Sequence, residues 1–200
     1  MTSLRMLSLA LAGLVLAGCS ILRPPQLFLM EPAPAAERTV AGLETRLIVV
    51  PRLSLPAYAA DTRIAVLTAD EAGMPAVAQA GDRVWADAPE RALTIGLSRA
   101  LAARTGAPVL AEPWPVEAVP DLKIEVVVDR LLGAEGGALA LTGVYRVIDL
   151  RRNGLAIVRD FDIAAEAPGP GIEGLAAAHA LALGRLADDI AAALAERFAS

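Results

Sequence analysis

The one cysteine, the one histidine and Ser98 are the residues of this 200-residue chain whose types and settings could do chemistry. His179 is the only histidine. A catalytic imidazole needs a nucleophile to activate, and a zinc-bound one needs further nitrogen, sulfur or carboxylate ligands. With no second histidine available, and with His179 on the apolar stripe of a helix, it is expected as a satisfied histidine at a core edge or an interface. Gly96-Leu97-Ser98-Arg99-Ala100 is a near miss to the hydrolase elbow Gly-x-Ser-x-Gly. It lacks the last glycine and falls mid-helix, away from the strained strand-to-helix turn that exposes such a nucleophile. Ser98 is therefore expected to face solvent on a helix. Asp188-Asp189 are expected on the wet side of the last helix. The glycines at 133–137 and 169–171 have neither Rossmann nor P-loop spacing and read as turns. No catalytic site, metal site or cofactor is expected.

Cys19 carries a different chemistry. It is the only thiol, and it ends Leu16-Ala17-Gly18-Cys19 after one positive charge, Arg5, and an apolar run from Met6 to Val15. That order resembles a bacterial lipoprotein signal with its lipobox. The apolar run is shorter than the roughly 20 residues a helix needs to cross a bilayer. Residues 1–18 are expected to be removed and Cys19 to become the acylated first residue. Lipidation contributes about 0.8 kcal/mol per buried CH₂, so two or three acyl chains hold a soluble domain at a membrane. Ser20 stands where an aspartate commonly retains lipoproteins at the inner membrane. The expected location is thus the outer membrane, facing the periplasm.

The charge balance narrows the partners. The formal net charge is −5, and Arg5 is the only charged residue before Cys19, so removing residues 1–18 takes it to −6. A chain with this balance has no basic patch to neutralise phosphates, which argues against nucleic acid. Residues 19–42 read as a lipid-anchored flexible tether interrupted by Pro24, Pro25, Pro32 and Pro34, which remove amide donors and favour extended chain. Leu27-Phe28-Leu29-Met30 within it offers an alternative, docking as an edge strand. Residues 43–200 read as one periplasmic domain.

In that domain Arg46–Val50 reads as a buried strand ended by Pro51, and Arg63–Leu67 as a second. A weak strand is expected around 76–85, with no pairing assigned over 67–84. Asp87-Ala88-Pro89-Glu90 reads as a helix start with Asp87 capping, and Thr105-Gly106 followed by Pro108 as its stop. Leu122, Ile124, Val126 and Val128 alternate with wetter neighbours and give the clearest strand. Leu139–Leu150 and Leu155–Glu166 follow, joined at Asn153-Gly154, and complete a meander. A last helix carries Ile172, Leu175, His179, Leu183, Leu186, Ile190, Leu194 and Phe198 on one stripe. The expected fold is α+β: an antiparallel sheet with two amphipathic helices packed on one face.

Three aromatic residues remain as candidate partner contacts: Trp85, Trp114 and Tyr58. A tryptophan beside a loop offers a large apolar area with a polar handle. It serves equally as a plug between sheet and helices.

The ordered set of marks resembles the PqiC/YmbA-type lipoproteins, the ABC-type transport auxiliary lipoproteins. The marks are the lipobox at Leu16–Cys19, Phe28-Leu29, a strand leading into Leu53-Ser54-Leu55-Pro56-Ala57-Tyr58, and Arg63-Ile64. Trp85-Ala86-Asp87 before Arg91-Ala92-Leu93, then Pro113-Trp114-Pro115, Lys123–Arg130 and a closing helix with Leu186 and Ile190 follow in order. The segment 67–81 departs from the family pattern in being rich in alanine and glycine. The resemblance implies a non-enzymatic accessory subunit that docks an MCE-domain protein and an ABC transporter moving lipid between the two membranes. Two other readings stay open: a module carrying phospholipid in an apolar groove, and a structural lipoprotein of outer-membrane assembly. A homo-oligomer is compatible with all three.

Overall fold

The strictest alternation in the sequence becomes the centre of the molecule. The computed structural model describes residues 24–30, 37–115 and 117–198; the expected signal segment 1–18 and Cys19 lie outside the described residues. Strands β6 (Leu122–Gly133), β7 (Ala138–Asp149) and β8 (Gly154–Glu166) pair antiparallel in sequence order. Leu122, Ile124, Val126 and Val128 of β6 and Leu139, Leu141, Tyr145 and Val147 of β7 are buried, while their neighbours are half-buried. Successive side chains on a strand point to opposite faces, so this pattern buries one face against the helices.

Gly143 is set by a close approach. The β6–β7 register shifts between Val128 and Arg130, and a Cβ at Gly143 would lie 2.1 Å from the Val127 carbonyl oxygen and 2.8 Å from the Phe161 ring. Only glycine fits there.

The strands differ from the expected single antiparallel sheet. Among the described residues there are two mixed sheets, one ordered β5 (Val109–Ala111), β2 (Ile48–Val50), β6, β7, β8 and one ordered β1 (Gln26–Phe28), β4 (Pro75–Trp85), β3 (Arg63–Ala69). Strand β2 (Ile48–Val50) pairs parallel with both β5 (Val109–Ala111) and β6. All three β2 residues are buried, as befits a central strand covered on both faces. Its parallel pairing follows from connectivity: the chain returns from β2 to β5 through α2 (Pro89–Thr105), and such a crossover makes parallel neighbours. Beyond Pro51 the ladder continues through Ser54, which bridges Val127. In the second sheet β3 (Arg63–Ala69) and β4 (Pro75–Trp85) pair antiparallel, which supplies the pairing the sequence leaves unassigned.

The stretch expected as a tether contributes to the fold. Gln26–Phe28 forms β1, parallel to Arg83–Trp85 of β4. Met30 and Val40 are buried, and the amides of Arg38 and Val40 donate to Ala103 and Thr105 at the end of α2. Burial of these apolar side chains offsets the cost of ordering the chain.

Helix α2 begins differently from the expected capping box. Its N-cap is Ala88, with no side-chain cap bond. The Asp87 carboxylate accepts from the Ala88 amide and pairs with Arg91 one turn on. Pro89 does occupy the first turn, and Gly106 ends the helix in the left-handed region at φ 69°. Helix α3 (Gly171–Phe198) buries its whole predicted stripe. A short α1 (Ala57–Ala60) precedes β3.

Candidate functional site

The residues with catalytic potential are held in packing roles. The Ser98 hydroxyl donates to the Thr94 carbonyl at 2.9 Å and is buried, not solvent-facing as expected. α2 turns this position toward the core because a serine bonded to the carbonyl four residues back needs no water. His179 is also buried. Its Nδ1 lies 2.8 Å from the Leu175 carbonyl oxygen, and its ring meets Trp85 edge-on at 5.0 Å. Burial pushes its pKa down to about 4, so the imidazole is neutral. Among the described residues no three His, Cys, Asp or Glu side chains gather to hold a metal.

Asp188 and Asp189 lie on the outer side of the last helix as expected, exposed and half-buried, and each faces a group on another element. Arg104, only 8% exposed on α2, donates from Nε to Asp188 at 2.7 Å. This pair ties α2 to α3. Asp189 faces the buried Tyr145 hydroxyl without closing a hydrogen bond to it, and burial together with that carboxylate raises the Tyr145 pKa.

The three candidate contact residues occupy different settings. Trp85, the last residue of β4, is 6% exposed against His179, a plug of the core. Tyr58 is half-buried on α1, and its hydroxyl accepts from the Leu131 amide at 3.3 Å, which pins α1 to β6. Trp114 is half-buried in the loop after β5, which also carries Val119, 84% exposed. The fold does not bring the three together in one site.

It does define two ends. At one end β6 stops at Gly133 and β8 at Glu166, α3 starts, and the first described residues pack. Met30, Ala59, Ala65, Trp85, Leu131 and His179 converge there. Beside them lies an open groove of about 510 Å³ between Phe28 and Leu29 and the first turns of α3, where Ala177, Ala180 and Leu181 line it. Its size is in the range of small-molecule clefts. At the other end β6 starts and the β7–β8 turn closes. Buried Asp121 accepts from the Leu47 amide at 2.8 Å, pairs with Arg151 and accepts at its carbonyl from Leu150. This network holds the turn and the Val119 loop together, with Leu150 and Leu155 exposed beside it.

The groove was not assembled by sequence reasoning, although two signals point to it. Leu181 is a leucine off the α3 stripe, and Leu27 and Leu29 flank Phe28 in a chain otherwise broken by prolines.

Two solved structures share the architecture. A crystal structure of an uncharacterized protein aligns with a TM-score of 0.64 at 18% identity, covering 81% of this chain and 99% of the other. Protein XCC0632 from Xanthomonas campestris aligns with a TM-score of 0.62 at 17% identity, covering 83% and 92%. At such identities the likeness shows the fold alone. No curated protein is significantly similar in sequence. A family model for the ABC-type transport auxiliary lipoprotein component matches residues 28–191, from β1 into the last turns of α3. That match covers most of the chain and all of its strands but the first two residues of β1: the chain belongs to the ABC-type transport auxiliary lipoprotein family.

Proposed function

We infer that this domain is a docking subunit for an MCE-domain protein and its ABC transporter, in lipid transport between the inner and outer membranes. An acylated Cys19 would hold it in the outer membrane, facing the periplasm. The family membership supports an auxiliary role in transport. The observation that carries the docking reading is the 84% exposed Val119, two residues before Asp121 in the loop that follows Trp114, at the end of the sheet opposite Gly133. A chain anchored through its N-terminus leaves that end free to meet a partner. Exposed Val119, Leu150 and Leu155 beside a network held by Asp121 have the character of an interface patch.

The test is crosslinking of the full-length acylated protein in native membranes, with a photoreactive residue at Val119 and mass spectrometry of the captured chains. MCE and ABC-transporter subunits are expected. Capture of outer-membrane assembly components alone would replace this reading with the structural one.

A further inference from the structure

The apolar groove at the Gly133 end lies apart from the docking surface proposed above, and three observations bear on what covers it. The first is chain length. Pro24 is the fifth residue after Cys19 and Leu27 the eighth. A fully extended chain spans at most about 3.6 Å per residue, so Leu27 lies within about 30 Å of the anchor whatever path the chain takes. The second is exposure. Leu29 and Leu181, which line the groove, are 65% and 38% exposed, and Leu27, two residues before Leu29, is 64% exposed. An exposed position on a short edge strand is ordinarily polar. The third is charge. Among the groove residues Glu173 is the only ionisable one, against three alanines, two leucines, a phenylalanine and a proline.

We propose that this face, Leu27, Leu29 and Leu181 around the groove, rests on the phospholipid bilayer that holds the anchor and takes lipid tails into the groove. The proposal rests on the reading of Cys19 as acylated. It gives the domain a fixed orientation: groove end on the membrane, Val119 end away from it. The short distance from the anchor keeps the face at a high local concentration of lipid, so weak apolar contacts suffice. Three exposed leucines would not hold an unanchored domain there on their own.

Acylation of Cys19 consumes the only thiol, so single cysteines introduced elsewhere can be spin-labelled at one site. Leu27→Cys, Leu181→Cys and Val119→Cys are prepared as full-length acylated proteins in phosphatidylethanolamine–phosphatidylglycerol vesicles, and the lipid on Cys19 is read by mass spectrometry. The expected result is that nitroxides at 27 and 181 relax faster with oxygen than with a water-soluble nickel chelate. The Val119 label is expected to show the reverse. Leu29→Asp combined with Leu181→Asp, its fold checked by circular dichroism, is expected to return the label at 27 to aqueous behaviour.

Aqueous behaviour at 27 and 181 with Cys19 acylated overturns the membrane face and leaves the anchor standing. Dipolar broadening between labels at 27, with protection from both reagents, overturns it in favour of a second copy on the groove. An unmodified Cys19 overturns the anchor reading and this proposal with it.

Discussion

At the Gly133 end the chain is joined by apolar and aromatic surfaces: Trp85 on His179, Met30 against Leu131, Leu29 over the first turns of α3. At the Leu122 end the joints are polar and directional, with Asp121 reaching Leu47, Leu150 and Arg151. The difference is physical as well as positional. Apolar contacts are non-directional and tolerate sliding, whereas a buried carboxylate bonded to a backbone amide fixes one geometry. The first suits a surface that meets lipid, and the second a surface that presents fixed groups to a protein. Perturbing each end should therefore give distinct responses.

The largest effect is expected where both ends depend on one residue. Gly143 sits midway along β7, and Gly143→Ala would drive a Cβ into the Val127 carbonyl and the Phe161 ring. Overpacking against backbone costs about 3 kcal/mol or more. Chemical denaturation should show a midpoint shift of that size with an unchanged slope. A shift below about 1 kcal/mol would mean that the two ends are not coupled through this strand.

How much of this division is legible in the sequence depends on which signal each part carries. β6–β8 and α3 stand out because each buries one face and the period shows, as with Leu122 to Val128 and Ile172 to Phe198. The parallel pairing of β2 does not stand out. Ile48-Val49-Val50 is a continuous apolar run, and such a run fixes burial but carries no register or direction. β4 is weak because Ala76, Val77, Ala78 and Gln79 give neither face enough apolar contrast. The partner of Asp188 was missed for an instructive reason. Arg104 recurs with Leu93, Leu97 and Leu101 on a buried face, and an arginine there requires a carboxylate from another element. The groove was missed because its walls come from residues about 150 positions apart in sequence, and small side chains leave a space only after folding.

A fall in pH should weaken the groove end selectively. His179 has a pKa of about 4 in the folded chain, pushed down by burial, against 6.5 when exposed. Below pH 6.5 the unfolded state takes up a proton that the folded state refuses. Stability from this group is thus complete above pH 6.5 and lost as pH falls toward 4, by about 2 kcal/mol at pH 5. The comparison is between the wild type and His179→Phe in denaturation at pH 7.5 and pH 5. The wild type should lose about 2 kcal/mol more than the variant. Equal losses would show that the imidazole is hydrated in the native state.

At the opposite end Asp121→Ala leaves the Leu47 amide without its acceptor. The cost should be about 1.5 kcal/mol, and hydrogen exchange should quicken at Leu47 and Leu150 while Trp85 keeps its protection. Quickening at Trp85 to the same degree would erase the distinction between the ends. Tyr58→Phe removes one partly buried hydrogen bond, from the Leu131 amide, on the groove side. About 1 kcal/mol is expected, with the change confined to α1 and the Gly133 end of β6.

The smallest effect belongs to a region in neither end. The β3–β4 turn places Met74 61% and Val77 47% exposed, and the turn is closed locally by Asp70, whose carboxylate accepts from the Ala72 and Met74 amides at 2.9 and 2.8 Å. Nothing in the core leans on the Met74 side chain, so Met74→Ser should stay within about 0.5 kcal/mol of the wild type in the isolated domain. In native membranes the same substitution should leave crosslinking from Val119 unchanged, because the hairpin belongs to the second sheet and Val119 to the start of β6. A loss of capture on Met74→Ser, with stability intact, would move the partner surface from the Val119 end onto this hairpin. The polar network around Asp121 would then be a device of the fold alone.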